Sequence, residues 1–241
     1  AVAVDRTAAR AAVRTPGPLD PPDAARLLAA YGITVEPAVP VRSPDEAVEA
    51  AERLGWPVAL KARAPEHRHR PDLGAVRLDL AGEPELRSAW APVTARLGDG
   101  PYVVQAMAPP GVPVVVGSVE DPTYGPLVSF GVAGVATDLL GDRAYHILPL
   151  TDADATRLVR SVRAAPLLFG HRGAHPVDVA ALEQLLLRVA RLADDLPEVA
   201  SLQLNPVVVA ASGVHVLSAE VTVGAPRLRA DAGPRRLRQP T

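Results

Sequence analysis

Apolar residues recur along the chain with two different periods. Ala24, Leu27, Leu28 and Tyr31 are spaced for one face of a helix, with Asp20 as N-cap, Pro21 at the first helical position and Gly32 as the stop. A short strand, ITVEPAV, follows. A second helix opens at Ser43, with Pro44 and the capping partner Glu46, buries Ala47, Val48, Ala51 and Leu54, and stops at Gly55. PVALKARA then reads as a strand, PEHRHRPDLG as a polar loop, AVRLDL as a strand, EPELRSAWAPVTARL as a helix and YVVQAM as a strand.

The second half repeats the mixture in another order. VPVVVGSV and PLVSFGV read as neighbouring strands joined by the turn EDPTYG, and a Gly-rich junction, GVAGVATDLLGD, comes next. Helices are expected from Thr151 to Val162 and from Val177 to Ala193, the latter carrying Leu182, Leu185, Leu186 and Val189 on its apolar side. SLQLNPVVV and GVHVLSAEVTV, separated by AASG, have the form of a closing hairpin. Helices and strands do not alternate strictly, so the expected class is α+β. Residues 1–19 are expected to be a linker from an upstream region of a longer chain, since Arg and Asp interrupt small residues and no initiator Met is present. The last stretch, residues 224–241, is expected to be an Arg-rich tail.

Composition narrows the function classes. The 241 residues are 48% hydrophobic and 22% charged, with no long uninterrupted apolar run, which excludes a disordered chain and argues against a membrane partner. The net charge of -2 and the 3% aromatic content argue against nucleic acid as a partner. With no cysteine, disulfide and thiolate chemistry are excluded, and the expected location is cytoplasmic.

One residue stands out within that composition. Of 25 basic residues, Lys61 is the sole lysine. In a chain so biased toward Arg, a retained Lys reads in one of two ways: as a compact ammonium needed where a planar guanidinium does not fit, as against phosphate oxygens, or as a chance survivor on the surface. Glycines at loop positions, whose backbone amides can approach phosphate, and a polar pair on the terminal hairpin complete the candidate chemistry.

In their order and spacing, LLAAYGI, GWPVALKA, HRHRPDLGAV, VVQAM, EDPTYGPLVSFGVAGV, LLGDRAYHILPL, LFGHRG and LNPVVV resemble the ATP-grasp domain of the ADP-forming acetyl-CoA synthetase family, from about Asp20 to Val223. The resemblance implies an ATP-grasp fold in which two α+β lobes, residues 20–104 and 105–223, hold ATP between them. It assigns Lys61 to the ATP phosphates, Gln105 and Met107 to the stretch that receives adenine, and Gly74, Gly131 and Gly134 to the approach of phosphate. Arg172 matches a further nucleotide-site position, and Asp142 also matches. His69 matches the family's phosphoryl-relaying histidine, a role that suits imidazole near neutral pH. Asn205 and Asp138 match positions that hold Mg²⁺.

The same resemblance exposes departures. Arg70, Pro71 and Ala75 break the usual pattern around the histidine. Ser218 stands where a metal-binding Asp is usual, Gln203 and Pro113 where acidic residues are usual, Asp138 where a longer Glu is usual, and Ala133 interrupts a Gly pair. Together they imply an eroded metal site, because Mg²⁺ requires hard oxygen ligands. The implied partners are acyl-CoA synthetase domains and, from the composition and the Arg-rich ending, a Gcn5-related acetyltransferase domain of the same longer chain. The alternative reading is a regulatory or scaffolding module that has kept the fold without catalysis.

Overall fold

The computed structural model describes residues 4–63, 75–98, 100–134 and 139–225, and these form two compact units. The smaller spans Glu36–Pro109, and the larger combines the described residues of Ala1–Val35 and Pro110–Thr241. Among the described residues no helix is long and apolar enough to cross a membrane.

The smaller unit is a four-stranded antiparallel sheet in the order β2 (Ala38–Val41), β5 (Tyr102–Ala106), β3 (Val58–Ala62) and β4 (Val76–Leu80). Two helices accompany it, α3 (Pro44–Leu54) and α4 (Glu83–Leu97). Ser43 Oγ accepts the Glu46 N–H at 3.1 Å, while Glu46 Oε2 reaches back to the Arg42 N–H at 2.8 Å. The predicted reciprocal cap therefore closes one residue further out than the simplest capping box. Because side chains alternate across a strand, Val58, Leu60, Val104 and Tyr102 face the helices and join Ala47, Val48, Leu86 and Val93 in one core. Lys61 and Gln105 lie on the other face.

The larger unit holds a seven-stranded sheet. Its main path runs β1 (Gly17–Pro18), β11 (Ala219–Val223), β9 (Val199–Ala210), β6 (Gly111–Asp121), β7 (Gly125–Val132) and β8 (Arg143–Ile147), with β10 (Val214–Val216) paired to β9. The expected hairpin across AASG is present, with Val214 opposite Val209. One face presents Val116, Val128, Phe130, Leu202, Leu204 and Val221 to a buried core. That core is shared by α2 (Pro21–Ala29), α5 (Asp152–Ser161) and α6 (Val179–Asp195). Thr151 and Asp154 close a reciprocal capping box at the start of α5, and Asp178 caps α6 through the Ala181 N–H at 2.9 Å. A second backbone N–H, from Gly213, reaches Asp178 at 2.8 Å, and the two bonds hold its carboxyl below the usual range.

The N-terminal segment departs from expectation. Where a linker was expected across residues 1–19, Arg6–Ala12 form a helix, α1, capped by Asp5, and Gly17–Pro18 pair with β11. The apolar contact of α1 is made by Ala9 and Val13, both buried, whose small side chains give little periodic signal beside three arginines. The boundary between units also differs from the expected 104/105 division. Helix α2 and its flank, through Leu27, Leu28, Tyr31 and Ile33, bury into the core of the larger unit, so that unit is discontinuous in sequence. Burial and the nearby Asp195 push the Tyr31 hydroxyl up to about 12, so it stays neutral in that core.

This packing predicts a contrast between two leucines. Leu186→Ala, at a fully buried position of α6, should cost about 2–5 kcal/mol in urea unfolding. Leu139→Ala, at a position 85% exposed, should stay within about 0.5 kcal/mol.

Candidate functional site

Each sheet has one face turned away from its helices, and the chemistry-bearing residues gather there. In the smaller unit the alternation along β3 sends Leu60 to the core and Lys61 to the helix-free face, and along β5 it sends Val104 to the core and Gln105 to the same face as Lys61. The register pairs Gln105 with Ala59 and Lys61 with Val103. Lys61 and Gln105 are thus diagonal neighbours across two strands.

Their side chains meet. Lys61 Nζ donates to Gln105 Oε1 at 2.5 Å, and Gln105 Nε2 donates to the Glu36 carbonyl at 3.0 Å. Gln105 is 1% exposed. Desolvation by burial, with a smaller contribution from Arg63, lowers the Lys61 ammonium to about 8 from its ordinary 10.5. The group is therefore a cation at pH 7 that gains from a nearby anion. Met107, just beyond β5, donates its N–H to the Pro57 carbonyl at 3.1 Å, which fixes the strand end expected to receive adenine.

The open face of the larger sheet carries a different set. Across β9, β6, β7 and β8 a single row holds Asn205 with Pro206, then Val115, Gly131 and Arg143. Val114 pairs with Val207 and Val116 with Leu204, so Asn205 and Pro206 together oppose Val115 in a β-bulge. Gly131 stands two strands from Asn205, about 10 Å at roughly 4.8 Å per strand. A Cβ at Gly131 would lie 3.0 Å from the Asp142 carbonyl, just before β8, so any larger residue there would press on that backbone. With Val115, Val132, Gly141, Asp142, Arg143 and Tyr145, Gly131 lines a hollow of ≈ 230 Å³.

The remaining expected positions have mixed outcomes. Gly134 sits at the exposed end of β7 with a left-handed φ of 148°. Arg172 is exposed in the turn Gly170–Gly173, at φ 54°, an unusual backbone for a side-chain-bearing residue. His69, Gly74 and Asp138 lie outside the described residues. Asp142 serves the fold: its two carboxylate oxygens each accept a backbone N–H, from Arg163 and Ala164, both at 2.8 Å. Two roles escaped the sequence reading, this capping by Asp142 and the side-chain role of Gln105. The second was signalled by a lone polar residue within the otherwise apolar strand YVVQA.

The fit of a divalent cation can be tested on the donors. The Asn205 N–H donates to the Ser218 carbonyl at 3.1 Å, so these positions adjoin on neighbouring strands, and Glu220 stands opposite Gln203. Among the described residues no three His, Cys, Asp or Glu side chains converge as metal ligands. These residues do not make a carboxylate site for Mg²⁺. The Lys61 face does suit a polyanion, since it offers a desolvated cation held at a fixed point.

Comparison with known proteins gives this geometry a family. The family model described as "ATP-grasp domain" matches residues 10–223. The chain is 39% identical over 205 residues to acetate–CoA ligase (ADP-forming) I of Archaeoglobus fulgidus, covering 82% of this chain but only 30% of that protein. It is 32% identical over 197 residues to the beta subunit of acetate–CoA ligase (ADP-forming) I of Pyrococcus furiosus, covering 79% of this chain and 85% of that subunit. The chain thus spans under a third of the first relative and most of the second. Among solved structures, the dinucleotide-forming acetyl-coenzyme A synthetase 1 of Ca. Korarchaeum cryptofilum, in complex with coenzyme A, Ca-AMPCP and HgCl⁺, superposes with a TM-score of 0.76 at 33% identity. That match covers 86% of this chain and 93% of the other. Another structure of that protein, with coenzyme A and Mg-AMPPCP, has its phosphohistidine segment pointing towards the nucleotide binding site, with a TM-score of 0.70 and 34% identity.

The depressed Lys61 sets a pH signature in the free protein. Between pH 8 and 10.5 the unfolded chain binds more protons at this residue than the folded one, so Lys61's contribution to stability rises with pH over that window and is lost as pH falls through 8. Measured by urea unfolding, wild type should gain on Lys61→Met as pH rises from about 8 to 10.5. A constant difference across that range would refute the burial of this ammonium.

Proposed function

The chain belongs to the ATP-grasp domain family, and on that footing we propose that it is the nucleotide-binding module of an ADP-forming acyl-CoA ligase. The whole protein would convert an acyl acid, CoA and ATP to acyl-CoA, ADP and phosphate. One observation carries the reading: the chain's single lysine is a desolvated ammonium, held by Gln105 on the helix-free face of its sheet, at the position that matches the family's phosphate-binding lysine.

In this reading Lys61 meets the ATP phosphates, and the β5 end with Gln105 and Met107 borders adenine. Gly131 and Gly134 leave room for backbone approach to phosphate, and Arg172 supplies a second cation. His69 takes up and passes on a phosphoryl group, a role supported by its place in the sequence and by the phosphohistidine segment of the Korarchaeum relative. The acyl-CoA synthetase domains are the partners with which the module completes the reaction, consistent with a beta subunit among its relatives. The cytoplasm, where ATP and CoA are available, is its place of work. The acetyltransferase partner rests on composition alone.

Mg²⁺ would accompany ATP and meet the chain at Asn205 and Asp138, the positions that match the family's metal ligands, although the described residues by themselves make no carboxylate site. The weak point is Ser218, which stands just before β11 and beside Asn205, where a carboxylate would suit a metal. Glu220 lies two residues on, about 6.5–7 Å along the strand, too far for one extra methylene to bridge.

Two substitutions test the proposal by calorimetric titration with ATP. Lys61→Arg should weaken binding by about tenfold or more, since a guanidinium fork does not reproduce a point ammonium. Ser218→Asp should increase the Mg²⁺-dependent part of the affinity, with Glu220→Ala changing it little. Unchanged ATP affinity in Lys61→Arg would remove the phosphate role. Loss of binding in Glu220→Ala, with no gain in Ser218→Asp, would show a metal site rebuilt around Glu220.

A further inference from the structure

The Lys61 ammonium ends a flexible four-carbon stem, so its location depends on what holds it. The structure supplies a two-link chain. The Glu36 carbonyl accepts from Gln105 Nε2 at 3.0 Å, and Gln105 Oε1 accepts from Lys61 Nζ at 2.5 Å. A carbonyl accepts only from the NH₂ end of an amide, so the first link fixes which end of Gln105 faces the lysine. With Gln105 1% exposed, water does not compete readily for either end.

We propose that Gln105 is the positioning residue of this site: its side-chain amide, anchored on the Glu36 carbonyl, holds the Lys61 ammonium where the nucleotide's phosphates are met. The second half of that statement rests on the nucleotide reading above, whereas the first concerns the free chain. Gln105 acts through Lys61 and does not itself need to touch the phosphates. One ammonium proton is spent on Gln105, leaving the others for an incoming anion.

The electrostatic surroundings make the amide's contribution separable. Arg63 on the lysine's own strand side opposes its charge, and β4 carries Arg77 and Asp79. Strands β2 and β5 bring no carboxylate or basic side chain: their sequences are AVPV and YVVQA, and Tyr102 on β5 gives its hydroxyl proton to the Gly98 carbonyl at 2.5 Å. The neutral acceptor Gln105 favours the charged lysine against the desolvation that disfavours it. Removing the acceptor and replacing it with a carboxylate must therefore move the lysine's titration in opposite directions.

The single lysine makes the experiment direct, because lysine-specific ¹³Cε labelling of the full chain gives one side-chain signal. In wild type its titration midpoint should fall near pH 8. In Gln105→Leu the midpoint should fall by about one pH unit, and in Gln105→Glu it should rise by a comparable amount. Thermal melts confirm that each variant is folded. The ATP affinity of Gln105→Leu at pH 7.5 should drop by about tenfold. Unmoved midpoints, or shifts in the same direction in both variants, would overturn the proposal, since general loosening of the sheet does not distinguish an acceptor from a carboxylate. Should neither variant fold, wild type with ¹⁵Nζ labelling decides: a slowly exchanging ammonium at pH 6 supports the clamp, and a freely exchanging one overturns it. Opposite shifts in a chain that binds no ATP would keep the clamp and sink the nucleotide reading alone.

Discussion

An ammonium held partly out of water is costly, and the smaller unit is arranged around that cost. Burial lowers Lys61 to about 8, so it is still charged at pH 7 but with little margin, and a polar partner such as Gln105 helps to hold it. That partner comes from the sheet register, because β3 must pair with β5 so that Lys61 and Gln105 are diagonal neighbours on one face. A one-residue slip of either strand would turn its side chain into the apolar core and break the contact. Helices α3 and α4 fix the register by burying Val58, Leu60 and Val104 on the other face. Packing on one side of the sheet thus determines the chemistry available on the other.

The larger unit follows the same division with different contents. Its helix-covered face is nearly all Val, Leu and Phe, while its open face carries Gly131, Gln203, Asn205 and Glu220. The close approach at Gly131 and the bulge at Asn205 and Pro206 set the contour of that face, and among the described residues its carboxylates do not converge. Asp142, which matches the family pattern, is committed to two backbone amides. The family relationship and the lysine are therefore stronger grounds for nucleotide binding than the metal end is.

Much of this was legible in the sequence because it is local. The caps at Asp20, Ser43 and Thr151, the stop at Gly55 and the strands VALKA and YVVQA each depend on neighbours within a few residues. What could not be read is nonlocal. Helix α1 and its flanks bring only small apolar side chains to the core, with Ala9 and Val13 buried, an apolar face too small to stand out. Helix α2 looks like part of the first lobe until its leucines are seen in the other unit's core. The partner of Lys61 is 44 residues away in the chain, and composition had marked the lysine as unusual without indicating what holds it.

The central claim is that Lys61 is a cation kept in reserve for phosphate, and proton linkage tests it most directly. ATP should be titrated calorimetrically into the full chain at pH 8.5 in buffers of differing ionisation enthalpy, which reports protons exchanged on binding. With Lys61 near 8 in the free chain, about three quarters of these amines are neutral at that pH. If phosphates bind the ammonium and hold it charged, the complex should take up about three quarters of a proton, and Lys61→Arg should abolish that uptake. ATP binding with no proton uptake at pH 8.5 would contradict the account.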